Sequence, residues 1–242
     1  GNDTLIAAET GSHNIFGGEG DDTLIGSEQA DTLYGGADSD TITGGEGADS
    51  IFGGAGDDTL IGGEGSDVLN GGEGNEGDMA DYSNDSAGII VHLDEHWAQD
   101  GSGGIDTLIN INNIAGSDYA DQIVGNANSN ELFGGDGDDT LIGGEGIDRL
   151  TGGTGADTFT LDTADNSHMY IVDYDVTEDI IDLDALFDSL GIMGTEDRLA
   201  TITEEHVYDT FFTIATPDGD FESSIRIMNE YISINELTID VS

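Results

Sequence analysis

The chain has 242 residues, with 39 Gly, one Pro and no Cys, and 53 Asp and Glu against three Lys and Arg, for a formal charge of −50. That balance excludes nucleic acid and anionic membrane surfaces as partners on electrostatic grounds, and the absence of Cys excludes a disulfide framework. No stretch approaches the ~20 apolar residues of a membrane span.

High net charge with abundant glycine is the composition of a disordered chain. Here the acids are periodic, so disorder is the expectation for the metal-free chain and not for a metal-bound one. The first residues, Gly1-Asn2-Asp3, carry no basic region and no apolar core, so no N-terminal signal peptide is expected. The chain opens partway through a repeat and reads as a piece of something longer.

The repeat is a nine-residue unit, Gly-Gly-x-Gly-x-Asp-x-apolar-x. Gly1–Ile6 reads as its last six positions, Ala7 is one extra residue, and Ala8–Phe16 keeps the register loosely with His13 in place of Asp. From Gly17 seven units run without a gap. Their sixth positions are Asp22, Asp31, Asp40, Asp49, Asp58, Asp67 and Glu76; their eighth are Leu24, Leu33, Ile42, Ile51, Leu60, Leu69 and, breaking the series, Asp78. The first block, residues 1–79, is therefore expected to degrade at its end.

Residues 80–115 are an irregular insertion. Ile89–Leu93 is a strand candidate, and Gly101–Ile109 returns to register with Asp106 sixth and Leu108 eighth. A second block, residues 116–160, has sixth positions Asp121, Asn130, Asp139, Asp148 and Asp157, and eighth positions Ile123, Leu132, Leu141, Leu150 and Phe159. Residues 161–242 lose the glycines and read as a β-rich cap. Met169–Val172, Phe211–Ala215, Ser224–Met228 and Tyr231–Ile234 are expected strands, and Asp179–Leu190 fits a short amphipathic helix.

A period with a turn half and a strand half predicts an all-β coil. Two units make one turn, strands stack in parallel on two faces, and eighth-position residues point between the sheets. One thin apolar column per face cannot offset the cost of ordering so many glycines. Units two apart share an edge, so Asp22, Asp40 and Asp58 stack on one edge and Asp31, Asp49 and Asp67 on the other. Like charges at strand spacing, roughly 4.8 Å, require a cation between them. The donors are all oxygens, which selects a hard cation over zinc or copper, and flexible oxygen cages suit Ca²⁺ better than Mg²⁺. Nonapeptides of this pattern are also a known calcium-binding repeat. Calcium binding would then be folding free energy.

Over Gly1–Thr160 the units resemble those of RTX (repeat-in-toxin) proteins, with more than a dozen copies in one register. The resemblance implies a parallel β-roll binding multiple Ca²⁺ ions. It implies that each ion takes carbonyls from positions two and four plus the Asp of one loop, and carbonyls from positions one and three plus the Asp of the loop two units later. One edge would then use Gly18, Gly20 and Asp22 with Gly35, Ala37 and Asp40; Gly36, Asp38 and Asp40 with Gly53, Ala55 and Asp58; and Gly54, Gly56 and Asp58 with Gly71, Glu73 and Glu76. The other would use Ser27, Gln29 and Asp31 with Gly44, Glu46 and Asp49, then Gly45, Gly47 and Asp49 with Gly62, Glu64 and Asp67. Asp106, sixth in the lone in-register unit of the insertion, would be a further ligand. In the second block Ser117, Tyr119 and Asp121 would face Gly134, Asp136 and Asp139, and Gly135, Gly137 and Asp139 would face Gly152, Thr154 and Asp157. Gly143, Glu145 and Asp148 would face the neutral Asn130, a weaker site.

Ile171–Leu186 resembles the motif that follows RTX repeats in type I secretion substrates, with Tyr174 for Phe and Asp184 for Ser. That resemblance implies an uncleaved export signal toward the C-terminus, up to Leu237–Ser242. His92, His96 and Trp97 read as surface residues rather than a site. Asp173, Asp175, Asp179, Asp182 and Asp184 read as solvated acids. No nucleophile elbow or His-Glu-x-x-His is present, so no catalytic residues are expected. Position nine is too irregular for a flat binding ladder, and β-propensity explains it.

The leading expectation is a calcium-dependent folding and type I secretion module of a large bacterial RTX adhesin, secreted or at the cell surface. Its partners would be calcium, the type I machinery and a cell-surface or glycan ligand of upstream domains, without membrane insertion. The alternatives are the RTX region of a secreted protease or lipase, and a glycan- or ice-binding β-roll.

Overall fold

The computed structural model describes residues 1–72, 77–161 and 168–183, together with the backbone of strands at 202–206, 210–215, 222–227 and 239–240. It falls into two compact units, Gly1–Tyr119 and Ala120–Ser242. Among the described residues every regular element is a strand.

The first unit contains β1 (Thr4–Ile6), β2 (Asn14–Glu19), β3 (Thr23–Ile25), β4 (Thr32–Ala37), β5 (Thr41–Glu46), β6 (Ser50–Ala55), β7 (Thr59–Glu64), β8 (Val68–Gly72), β9 (Met79–Asp81), β10 (Ile90–His92), β11 (Trp97–Gln99), β12 (Ile105–Ile109) and β13 (Asn113–Ala115). Odd strands β1-β3-β5-β7-β9-β13 form one sheet, and β2-β4-β6-β8-β12-β11-β10 the other. The regular neighbours are parallel and offset by eighteen residues, as in Thr41↔Thr59 and Ile51↔Leu69. One turn of the coil is therefore two units, as the nine-residue period predicts.

The period works because each half of the unit suits one task. Thr, Ser and Val at the seventh position favour extended backbone, and the eighth position faces inward. Leu24, Leu33, Ile42, Ile51, Leu60 and Leu69 are all fully buried. The glycines make the corner. Gly36 has φ 127°, and a Cβ there would run into the Gly18 carbonyl of the preceding turn. Asp38 takes φ 74° where other units use Gly, which a short polar side chain tolerates.

The end of the first block differs from the reading of Glu76 as sixth and Asp78 as eighth. β9 pairs β7 with Thr59↔Met79 and Leu60↔Ala80. Asp78 thus stands in the sixth position and Ala80, fully buried, in the eighth. The unit carries two extra residues and does not degrade; Glu73 and Glu76 lie outside the described residues.

The insertion contributes a hairpin. β10 and β11 are antiparallel, β11 and β12 are antiparallel, and β12 returns to the parallel stack on β8 with Thr107↔Val68. On the outer face Phe16, Tyr34 and Phe52 stack with ring centroids 4.9 Å apart at each step. This aromatic ladder at position nine is an eighteen-residue regularity hidden by the irregular intervening units.

The second unit has β14 (Gln122–Val124), β15 (Glu131–Asp136), β16 (Thr140–Ile142), β17 (Ile147–Thr154), β18 (Thr158–Thr160), β19 (His168–Ile171), β20 (Ile180–Asp182), β21 (Ile202–His206), β22 (Thr210–Ala215), β23 (Glu222–Ile227) and β24 (Ile239–Asp240). One sheet runs β15-β17-β19-β23-β22-β21 and the other β14-β16-β18-β20-β24. Ile123, Leu132, Leu141, Leu150 and Phe159 are buried in this unit in the same way, as are Ile171 and Ile181. β23 is still parallel to β19, and beyond it that sheet turns antiparallel through β22 and β21. The helix expected over Asp179–Leu190 is not what forms at its start. Ile180–Asp182 is β20, parallel to β18, because its apolar residue fits the inward column better than a helical face. The remainder of that stretch, and the strand expected at Tyr231–Ile234, lie outside the described residues.

Candidate metal centre

The sixth-position carboxylates lie inside the turns, not on the surface. Asp22, Asp31, Asp40, Asp49, Asp58, Asp67, Asp106, Asp121, Asp139, Asp148 and Asp157 are all at most 3% exposed. Each is held by the same bond. The N–H of one rung's Asp donates to Oδ1 of the Asp on the next rung of that edge: Asp22 to Asp40 at 2.7 Å, Asp40 to Asp58 at 2.8 Å, Asp31 to Asp49 at 2.7 Å and Asp49 to Asp67 at 2.8 Å. The bonds continue from Asp58 to Asp78 and from Asp67 to Asp106, both at 2.9 Å. In the second unit they run from Asp121 to Asp139, Asp139 to Asp157 and Asp157 to Asp179, with Asn130 donating to Asp148. His13, in the Asp position, keeps the backbone bond to Asp31.

Oδ1 is thereby committed to the fold. Oδ2 is not: in Asp22, Asp40, Asp49, Asp58, Asp67 and Asp139 it is buried with no hydrogen-bond partner. A buried unpaired carboxylate oxygen is strongly unfavourable in a dry protein, so a cation is the missing partner. The space around these oxygens is built for one. A Cβ on Gly35 would collide with Asp40 Oδ2 and lie 2.7 Å from the Gly53 carbonyl oxygen; a Cβ on Gly53 would meet Asp58 Oδ2 and the Gly71 carbonyl, and one on Gly134 would meet Asp139 Oδ2 and the Gly152 carbonyl. The same pairing of own-rung Oδ2 with next-rung carbonyl recurs at Gly17 and Gly44. Among the described residues no three His, Asp or Glu side chains converge as a metal cluster. A cation in this lattice must therefore draw on main-chain carbonyls, a donor set that fits Ca²⁺.

The electrostatics agree. Burial first, then like-charged neighbours, pushes the carboxyls of Asp58, Asp106 and Asp139 up to about 7 and those of Asp49, Asp67 and Asp157 up to about 6, against the pull of the backbone bond each accepts.

Loops without glycine at the second position behave differently. Ser27 donates both N–H, at 2.7 Å, and Oγ, at 2.9 Å, to Asp31 Oδ2. Burial pushes the Asp31 carboxyl up, but the bonds from Ser27 and His13 outweigh it and hold it below its ordinary value. Asn126 N–H donates to Asn130 Oδ1 at 2.8 Å. These loops supply a partner for the sixth-position side chain, carboxylate or carboxamide, from the chain itself. Ser117 and Tyr119 close a turn of their own, in which Tyr119 N–H donates to Ser117 Oγ.

Two lattice carboxylates escaped sequence reasoning. Asp78 was hidden by the two-residue lengthening of its loop. Asp179 is not a solvated acid: it is 3% exposed, accepts Asp157 N–H at Oδ1 and Asp175 N–H at Oδ2. The signal in both is Asp-x-apolar-x, out of step with the glycines for Asp78 and without them for Asp179. Asp173 accepts from Gly152 and Gly153 N–H, and Asp175 accepts from Thr177; Asp184 lies outside the described residues. On the other edge Met169 stands opposite Asp148 in the register, so an apolar side chain follows the last acid there. His92 and Trp97 stack across the β10–β11 hairpin at 4.8 Å, and Trp97 Nε1 donates to Glu95.

The family model for the RTX calcium-binding nonapeptide repeat matches four times, at residues 16–51, 43–75, 110–141 and 133–167. The chain is an RTX repeat protein. RTX nonapeptides bind multiple Ca²⁺ ions, and the β-roll they build is a structural calcium-binding module. The gap between the second and third matches falls on the insertion. A comparison with curated proteins gives no match. Among solved structures, the extracellular lipase LipA from Serratia marcescens is similar at 16% identity and a TM-score of 0.30, over 92% of this chain and 40% of the lipase. The RTX chain thus spans less than half the length of that protein.

Proposed function

We propose that this RTX region is a calcium-dependent folding and type I secretion module of a large bacterial adhesin, delivered to the outside or the surface of the cell. The observation that carries this reading is the row of buried Asp Oδ2 atoms without partners. With calcium scarce, a chain of charge −50 resists closing around those carboxylates and stays extended enough to pass a narrow channel. Outside, calcium bridges the rungs and folding free energy is delivered by the ion. The expected ligands are the Asp Oδ2 atoms and the carbonyls that converge with them, Asp40 with Gly53 and Asp139 with Gly152 among them.

Calcium titration followed by circular dichroism tests the switch: β-structure appears with calcium, and β-structure already complete in excess chelator would overturn it. Export is tested by deleting Leu237–Ser242, and unchanged secretion would argue against a signal there. Sequence preceding Gly1 tests the adhesin assignment. Long tandem domains support it, and a catalytic motif would assign the module to a secreted hydrolase instead.

A further inference from the structure

At the regular turns Gly17, Gly35, Gly44 and Gly53, a Cβ on the first glycine would meet both its own Asp Oδ2 and the first carbonyl of the next rung. At Gly62 the three atoms nearest such a Cβ all belong to the Asp67 side chain. This is the rung whose successor comes from across the insertion, on β12. A second buried carboxylate lies close to this rung. Asp100, just before the loop that leads into β12, is 2% exposed. Its Oδ1 is fully engaged by the N–H groups of Ser102, at 2.8 Å, and Gly104, at 2.7 Å, and by Ser102 Oγ, at 2.9 Å. Its Oδ2 is buried and has no partner, as is Asp67 Oδ2.

The two rungs are tied together at this point. Thr107 N–H donates to the Asp67 carbonyl, Ile105 N–H to Ser66 Oγ and Asp67 N–H to Asp106 Oδ1. A Cβ on Gly104 would collide with the Gly65 carbonyl oxygen and lie 2.6 Å from Asp100 Oδ2, so those two oxygens face the same spot. Asp100 is also close enough to act electrostatically on both Asp67 and Asp106. Asp106 itself is closed to a further ion on its outer oxygen, because the buried Tyr82 hydroxyl donates to Asp106 Oδ2 at 3.0 Å.

We propose that Asp100 Oδ2, Asp67 Oδ2 and the Gly65 carbonyl hold a calcium ion at a junction site shared by the roll and its insertion. The site would pin the insertion to the roll when calcium is present, while Tyr82 supplies a proton donor where the next ion would otherwise sit. An all-oxygen set with two carboxylates and a carbonyl fits a hard divalent cation. The inference rests on the reading of the roll as calcium-loaded.

Native mass spectrometry of the whole 242-residue chain, titrated with calcium, tests it against Asp100→Asn. Asparagine keeps the Oδ1 acceptor that closes the 100–104 turn and puts an uncharged amide nitrogen, which does not ligate calcium, in place of Oδ2. One ion fewer at saturation, with unchanged circular dichroism, is the expected result. An equal number of ions at equal calcium concentrations would overturn the junction site while leaving the roll intact. A wild-type chain that bound no calcium would instead sink the roll reading and this site with it. If the variant does not fold, crystals of the wild-type chain grown in calcium decide. An anomalous peak about 2.3–2.6 Å from Asp100 Oδ2, Asp67 Oδ2 and the Gly65 oxygen supports the site, and its absence alongside peaks in the regular turns overturns it.

Discussion

The main-chain N–H of Asp58 donates to Oδ1 of Asp78, twenty residues on, where the preceding rungs of the same edge span eighteen. The lengthened loop therefore leaves the carboxylate in place and lets Ala80 take the inward position beside Leu60. Asp78→Ala should orphan the buried Asp58 N–H and cost about 1–3 kcal/mol, with weakened calcium binding on that edge. Glu76→Gln should change neither. Urea denaturation in saturating calcium compares the two, and equal effects would refute the register.

Gly35→Ala separates space from backbone freedom. Gly35 is absent from the positive-φ glycines, so alanine is not strained there by its backbone. Its Cβ would fill the cradle between Asp40 Oδ2 and the Gly53 carbonyl. The expected outcome is loss of calcium at that rung, read as a lower stoichiometry by calorimetric titration. Unchanged stoichiometry would show that the cradle holds no ion.

Ser27→Gly should do the opposite at Asp31. Removing the Oγ donor and letting residue 27 adopt the geometry of Gly36 and Gly45 frees Asp31 Oδ2 for an ion. Calcium binding should gain a site or tighten, while any β-structure in chelator loses about 1 kcal/mol. No gain in binding would mean that the Ser27 loop already carries calcium.

The metal-free roll should be more stable in mild acid than at neutral pH. Asp58, Asp106 and Asp139 near 7, and Asp49, Asp67 and Asp157 near 6, lie above the ordinary 3.8 because burial and like-charged neighbours disfavour their ionised form. The folded chain thus binds protons that the unfolded chain does not. Ionisation destabilises it fully above about pH 7, and that penalty lifts as pH falls through 7 and 6 toward 4. Circular dichroism in chelator should show more β-structure at pH 5 than at pH 8. Apparent calcium affinity should fall over the same window, since proton and ion compete for the same oxygens. A flat profile would contradict both.

Leu60→Ala should cost about 2–5 kcal/mol in the calcium-bound state. Leu60 is fully buried and lies between Ile42 and Ala80 in the column, so the small Ala80 cannot fill the void. Chemical denaturation at saturating calcium measures it.

The regular rungs were legible in the chain. From Gly17 to Asn70 a nine-residue period fixes which residue turns, which points inward and which carboxylates share an edge, because turn and strand have different backbone requirements that repeat in step. Phe16, Tyr34 and Phe52 show where this reading thins out. Their ladder exists only at eighteen-residue spacing, and it is visible once two units are known to make one turn.

By itself the sequence determined the parallel coil, the buried Leu and Ile column, the stacked Asp rows and the oxygen chemistry that calls for calcium. Tertiary structure decided what happens where the period slips. It placed Asp78 and Asp179 in the lattice, since register is set by which apolar residue reaches the column rather than by counting glycines. It brought Asp106 onto Asp67 across thirty-nine residues, and it set Asp100 and Tyr82 around that contact. Such neighbours come from the folding back of an aperiodic insertion, and no local spacing encodes them.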